Sequence, residues 1–561
     1  MNNEKIENVN IHSNPTSRPG GDKSKAVLPL VGALILIVGI WIGNSFSDRN
    51  VLRIKPSTQE NANKLVSLID YIEDNYVDSI DKGKLIDDAI QSVLQNLDPH
   101  SYYLTAEHRA DEEERMNGAF DGIGIEFLIL RDTLMVVKTV ENGPSAKAGI
   151  LSGDRIVRVN ETEMSGKDLN GEKAQKLLKG QKGSDVKVSV LRPGTPEILS
   201  FNIERGSIPL ESVPAAFMLD DSIGYVKIER FAATTYDEFM KNVEPLKEKG
   251  CNKLIMDLRG NGGGLLDQAA QMVEEFLTPG KLIVYTEGIH TGKNTLVSEK
   301  KGKFREMEVI VLIDQNSASA SEIVAGALQD WDKSITVGRR SFGKGLVQHE
   351  MELADNSALR LTVARYYTPT GRCIQKPYGD SINYDGDFDS RMSRGELMEA
   401  DSVSFPDSLR YKTPGGRVVY GGGGIMPDVF VPLDSIYFSG LLGEIAYRGL
   451  IRDYCFNYID KNRSAMAKFK NEDAFIEDFE VQDAMVTELV QIAGKEQIKI
   501  NTAALKKITP HLKNRIKAQL ARNMYDDNAM YRVLSETDMD LKKALLVASS
   551  FKEFALIPAA N

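Results

Sequence analysis

Three stretches of the chain carry residue types that could perform acyl transfer. The first, QNSASASE (residues 315–322), follows the apolar run 307–314 and precedes a stretch that sets Ile323, Ala327 and Trp331 on one helical face. A serine among small residues at a strand-to-helix corner presents its hydroxyl, and a helix N-terminus favours negative charge beside it. The same letters also spell a capping box, S-x-x-E from Ser319 to Glu322, so a purely structural role fits them too. Residue types alone do not choose among Ser317, Ser319 and Ser321. The second stretch, SFGKGLVQ (341–348), encloses Lys344 between glycines, Phe342 and Leu346. An ammonium that loses solvation there has a lowered pKa, and its neutral amine can take a proton from a hydroxyl. An exposed loop lysine is the plainer reading. Residues 338–345 nearly match a phosphate-binding loop, but Gly345 stands where Ser or Thr must hold Mg²⁺ and a strand-like segment follows. In the third stretch, RGNGGG (259–264), glycines lie between an apolar strand and a helix beginning near Leu265. Their free N–H groups could face an oxyanion, or the run could be a flexible turn.

Groups of this kind need strands that end in loops and helices that begin after them. From residue 223 the strand-like IGYVKIE, KLIMDL and MEVIVLID alternate with helix-like YDEFMKNVEPLKEK, LLDQAAQMVEEFL and SEIVAGALQDW. That alternation predicts an α/β core, a mixed sheet flanked by helices. Upstream, GIGIEFLIL (122–130), LMVVKTV (134–140), DRIVRVN (154–160) and DVKVSVLR (185–192) are short, β-branched and bounded by turns, with a short helix fitting 172–178. They predict a compact β-rich module of about 90 residues. It opens on Gly122-Ile123-Gly124-Ile125-Glu126-Phe127, where glycine N–H groups can form a carboxylate nest beside a strand able to pair with an extended peptide. A tight turn before a core strand is the plainer alternative. Residues 58–115 show helical periodicity, residues 380–412 are polar and acidic and read as a surface insertion, and about 120 residues from Gly440 read as helical.

A chain of 561 residues accommodates about three to five domains. With 42% hydrophobic and 27% charged residues it can bury sizeable cores, which excludes wholesale disorder. A net charge of −11 argues against nucleic acid as a partner. Cys251, Cys373 and Cys455 are too few and too scattered for a disulfide framework or a Cys-rich zinc site, and the six histidines show no metal spacing, so no metal and no cofactor is expected. Residues 26–43 are uncharged and read as one membrane span, a cleaved signal peptide being the rival. Lys and Arg are balanced on its two sides, so orientation rests on the short polar tail, which favours a cytoplasmic tail and an extracytoplasmic remainder. The expected order is a tail (1–25), a transmembrane helix (26–43), a helical region (44–115), the β-rich module (116–204), the α/β core (205–439) and a helical C-terminal region (440–561).

Two resemblances sharpen this reading. ENGPSAKAGILSGDRIVRVN (141–160), at its distance from the Gly122 turn, resembles the PDZ domain family over about residues 116–204. The likeness implies that Gly122, Ile123, Gly124 and Ile125 form the carboxylate-binding loop and that Ile125 and Phe127 shape the side-chain pocket. Ser319 and Lys344, with Gln348 four residues on, resemble the tail-specific, or carboxy-terminal processing, proteases with a Ser-Lys dyad. LDPHSYYL (97–104), SASASEIVAGALQD (317–330), FGKGLVQ, RYYTPTGRCIQ (365–375) and GGGGIMPDV (421–429) carry the same likeness. It implies Ser319 as nucleophile, Lys344 as general base, Gln348 as the group orienting the lysine, and an oxyanion hole from Ala320 with Gly262 or Gly263. Glu322 would support the dyad or close the capping box. The chain is thus expected to be a serine endopeptidase, anchored in a bacterial inner membrane with its catalytic part in the periplasm, acting on proteins with free, apolar C-termini. A membrane-anchored PDZ scaffold that binds without cutting is the alternative. His349 is the imidazole nearest to Lys344 in sequence, and the helical tail is expected either to self-associate or to fill an internal core.

Overall fold

The structure, a computed structural model, describes residues 56–556 apart from 131, 380–381, 404–405, 435 and 437–439. The tail and membrane span read at 1–43 lie outside the described residues, among which no helix is long and apolar enough to cross a membrane. The described residues fall into two compact units that divide between Ile86 and Asp87. In the first, the helix Pro56–Asn75 presents Asp70 and Glu73 to Lys82 at 2.9 and 2.6 Å.

The second unit begins its β-rich module with the strand β1 (Ile125–Leu130), followed in sheet order by Thr133–Thr139, Arg155–Val159, Asp185–Leu191 and Ile198–Glu204, all antiparallel. Period-two alternation builds it: Val186, Val188 and Val190 are buried while Asp185 and Lys187 face water. The helix Gly171–Leu178 starts where the Asn170 side chain accepts the Lys173 N–H and closes the core with Ala174 and Leu178.

The α/β core is a six-stranded sheet in the order Ala215–Met218, Ile223–Lys227, β2 (Lys253–Asp257), β3 (Glu308–Ile313), β4 (Ser334–Gly338) and Val429–Phe430. Its first pair is antiparallel and the rest parallel, which makes the sheet mixed. Both faces are covered, as parallel strands require. Leu254, Met256, Val309, Val311 and Ile313 pack with the helices Thr235–Glu248, Leu266–Glu274 and α1 (Ala320–Asp330). The alternate residues Ile255, Ile310 and Leu312 face Leu541, Ala544, Val547 and Ala548 of α2 (Met539–Ser549). The helical tail therefore does not stand apart: it has its own core around Phe475, Leu489 and Leu512, and its α2 covers one face of the six-stranded sheet. A second sheet contains Tyr102–Leu104, Leu282–Gly288, Gly292–Val297 and the antiparallel pair β5 (Leu346–Glu352) and β6 (Ala358–Tyr367).

Residues 380–412 lie largely at the surface where they are described, as the sequence predicts, but they are anchored inward by buried charges. Arg391 is 1% exposed and Glu396 4% exposed, and Glu396 accepts from both Arg340 (2.6 Å) and Arg391 (2.7 Å). Arg391 in turn donates to the carbonyls of Arg340 and Ser341 at 2.5 and 3.2 Å. Buried charges persist when paired and hydrogen-bonded, and here that pairing draws an acidic segment inward against the residues before Lys344.

Candidate active site

Three loops leave the C-terminal ends of β2, β3 and β4, the edge at which parallel sheets assemble sites. The serine corner after β3 and the glycine loop after β2 are stitched together. Ala318 N–H and Ser321 Oγ both donate to the Asn261 carbonyl (3.0 and 2.9 Å), Ser317 Oγ donates to the Leu258 carbonyl (2.9 Å), and Gly260 N–H donates to Asp314 Oδ1 (3.0 Å). Ser317 and Ser321 are fully buried and their hydroxyls are spent on the neighbouring loop, whereas Ser319 lines an open cleft. Ser319 holds φ 55° and ψ −114°, a conformation that costs a non-glycine residue about 1–3 kcal/mol and turns its side chain out at the start of α1. Gly263 lies so close that a Cβ there would come 2.7 Å from Ser319 Cβ and 3.0 Å from Ala320 N. The Gly263 N–H is taken by Asn261 Oδ1 at 2.9 Å. Among the described residues no acceptor is bonded to the Gly262 or Ala320 N–H.

Glu322 occupies the capping-box position, and its carboxylate reaches well beyond the cap. Oε2 accepts from Ser319 N–H (2.8 Å) and Lys344 N–H (2.9 Å), and Oε1 from Gly343 N–H (2.7 Å) and Ser341 Oγ (2.5 Å). Full burial pushes this carboxyl up to about 7 in spite of those four donors. Tyr366, buried on β6, donates to the carbonyls of Lys344 (2.6 Å) and Ser319 (3.1 Å).

Lys344 sits on the loop between β4 and β5. Burial lowers its pKa from the usual lysine value, and the charge of Arg360 adds to the shift. Its Nζ donates to Gln348 Oε1 at 3.2 Å, and Gln348 Nε2 donates to the His100 carbonyl. Ser319, Lys344, Gln348, Gly262, Gly263 and Tyr366 all line one cleft of about 970 Å³. The amine is turned to Gln348, and among the described residues it makes no hydrogen bond to Ser319 Oγ. His349 is exposed on β5, while Gln348 before it faces the cleft. The imidazole that approaches the lysine is His100, whose pKa burial lowers to about 4 with help from Lys344. Its Nε2 bonds Tyr384 Oη at 2.7 Å, and both rings pack around Phe342. The sequence does not single out His100, Tyr366 or Tyr384 as parts of the site. LDPHSYYL carries a family likeness only, and nothing in it points to a partner 248 positions away.

The Gly122 turn lies in the same unit. Gly122, Ile123, Gly124, Ile125 and Phe127 line a groove of about 330 Å³ that is closed on its other side by Gln175, Leu178 and Lys179. Gly124 has φ 71°, and a Cβ on it would meet Ile208 at 2.8 Å. Ile123 itself is buried in the module core. Arg115 and Arg230 line both this groove and the Ser319 cleft.

Comparison with known proteins gives the family. The model of peptidase family S41 matches residues 222–385, that of the PDZ domain residues 122–203, that of an activating protease CtpB N-terminal domain residues 43–108, and that of a family of unknown function residues 441–526. A carboxy-terminal-processing protease of Bartonella bacilliformis is 35% identical over 356 residues, 63% of this chain and 80% of its own length. Carboxy-terminal processing protease CtpB of Bacillus subtilis is 35% identical over 316 residues, 56% of this chain and 65% of its own. A solved photosystem II D1 C-terminal processing protease shares 28% identity over 55% of this chain and 88% of that one, with a TM-score of 0.31. The chain belongs to peptidase family S41 and is a serine-type carboxy-terminal processing protease that carries a PDZ domain.

Proposed function

We propose that Ser319 and Lys344 form a Ser-Lys dyad that cleaves peptide bonds through an acyl-enzyme. The observation that carries this reading is the division among three serines: two spend their hydroxyls inside the protein, and the strained one faces a cleft shared with a desolvated lysine. The neutral Lys344 amine takes the Ser319 proton as Oγ bonds the substrate carbonyl carbon. The carbonyl oxygen becomes an oxyanion, met by the unengaged N–H groups of Gly262 and Ala320. The ammonium of Lys344 then protonates the leaving amine as the C–N bond breaks, and water, deprotonated by the same amine, releases the acyl group and restores Oγ–H. Gln348, fixed by the His100 carbonyl, holds Nζ within the cleft until substrate closes the distance, since catalytic hydrogen bonds commonly tighten only in the bound complex.

Substrates are unfolded chains with a free, apolar C-terminus, held by the Gly122–Phe127 groove. Arg115 and Arg230, common to groove and cleft, support gating of one by the other. The uncharged stretch 26–43 anchors the enzyme in a bacterial inner membrane, with the catalytic part in the periplasm. Cleavage of an unfolded chain with an apolar C-terminus, compared among the parent, Ser319→Ala, Lys344→Ala and His349→Ala, tests the dyad. Loss in the first two variants alone is expected, and equal cleavage by all four removes the dyad. A Gly124→Ala chain that no longer binds peptide yet cuts long substrates normally would remove the gating.

A further inference from the structure

We propose that Asp538 and Asp540, at the start of α2 in the helical tail, are positioning residues that hold the glycine and lysine loops in register for the reaction. The proposal rests on the reading of Gly262 and Ala320 as oxyanion donors. Arg259, the residue before the glycine loop, has every guanidinium N–H engaged. Its Nε donates to Asp257 Oδ1 (3.0 Å), Nη1 to Asp538 Oδ1 (2.9 Å) and Asp540 Oδ2 (3.0 Å), and Nη2 to Asp257 Oδ2 (2.6 Å) and Asp538 Oδ2 (2.7 Å). Five donors meet five acceptors, the full capacity of an arginine, so its orientation is over-determined. Its carbonyl accepts from Lys227 Nζ at 2.5 Å, which pins the backbone as well.

Asp540 does more than neutralise Arg259. Its two oxygens also accept from Arg339 Nη1 (2.9 Å) and Nη2 (3.1 Å), and Arg339 directly follows β4, two residues before Ser341 on the loop that carries Lys344. Arg339 Nε reaches Gln315 Oε1 at 3.1 Å, at the opening of the serine turn. One carboxylate, 281 positions beyond Arg259 and 201 beyond Arg339, thus ties the root of the glycine loop to the root of the lysine loop, and through Arg339 to the serine turn. Asp540 and Arg339 are both under 10% exposed, where charge-assisted hydrogen bonds are stiff and a lost partner leaves an uncompensated cation. The family match over 222–385 does not include these aspartates.

The test uses the full chain. Asp540→Asn and Asp538→Asn preserve side-chain size and remove the charge. Asp540→Asn is expected to lower kcat about tenfold or more with KM within about twofold of the parent, while affinity for a peptide boronate, whose serine adduct places an oxygen in the oxyanion hole, falls by the same factor. A variant still folded at the assay temperature that keeps kcat and boronate affinity within about twofold overturns the proposal. Where Asp540→Asn is unfolded at that temperature, Asp538→Asn, which leaves Asp257 and Asp540 on Arg259, decides by the same criteria. A Ser319→Ala chain that cleaves as fast as the parent removes the serine reading and this proposal with it, whereas loss of the proposal alone leaves Ser319→Ala inactive.

Discussion

The backbone amides of Ser319 and Lys344 converge on a single oxygen, Oε2 of Glu322, at 2.8 and 2.9 Å. On the carbonyl side the same two residues share the hydroxyl of Tyr366. A carboxylate and a phenol thus hold two loops at a fixed separation, and the carboxylate can serve four donors only while ionised.

That requirement sets a pH dependence. The Glu322 carboxyl titrates near about 7 in the fold, above its usual value, so the native state binds this proton more tightly than the unfolded chain. Stability contributed by the group is therefore present below the usual carboxylate pKa and declines as pH rises through about 7, while the clamp itself forms only above that pH. Lys344 has a depressed pKa, so its neutral form is reached at lower pH than an ordinary lysine allows. We expect kcat/KM to rise with pH through about 7 and to go on rising as Lys344 loses its proton, and Glu322→Gln to lose the part of that rise centred near 7 together with about tenfold in kcat. A profile measured in parent and variant that is flat through and above about 7 would contradict both assignments.

Gly263→Ala places a methyl group 2.7 Å from Ser319 Cβ on a residue with φ 104°. The corner and the glycine loop must separate, and we expect kcat to fall by about 100-fold or more with little change in substrate binding. Active-site titration with a serine-directed phosphonate, alongside binding of a substrate-length peptide, distinguishes this from unfolding.

Arg391→Ala removes a buried cation that bonds two carbonyls just before the lysine loop and leaves Glu396 with Arg340 as its principal partner. The expected cost is about 3–5 kcal/mol, read from urea unfolding. A solvated insertion would lose almost nothing.

Leu541→Ala cuts into the α2 face that covers Ile255, Ile310 and Leu312. We expect about 2–5 kcal/mol of destabilisation by calorimetry or denaturant, at a residue that does not line the cleft.

The catalytic strands and the serine, lysine and glycine loops were legible because each is local. Strand and helix periods alternate within about 30 residues, and a glycine run or a flanked lysine announces its turn in a few letters. What escaped is non-local. Arg391 and Glu396 look solvated one at a time and become interior only through each other and Arg340. His100 reaches Gln348 across 248 positions, and its ring carries no periodic signal. The stripe on α2 was visible as apolar, yet an apolar stripe does not say which surface it meets, and here that surface is the far face of the catalytic sheet. From sequence, Ser319 stands apart from Ser317 and Ser321 only by family likeness; what the fold adds is the pair of carbonyls, at Leu258 and Asn261, that occupy the hydroxyls of its neighbours.

Because residues 539–549 cover one face of the sheet from which the Ser319 turn leaves, that sheet keeps an open apolar side until they dock. Folding of the α/β core is thus coupled to a segment remote from it in sequence.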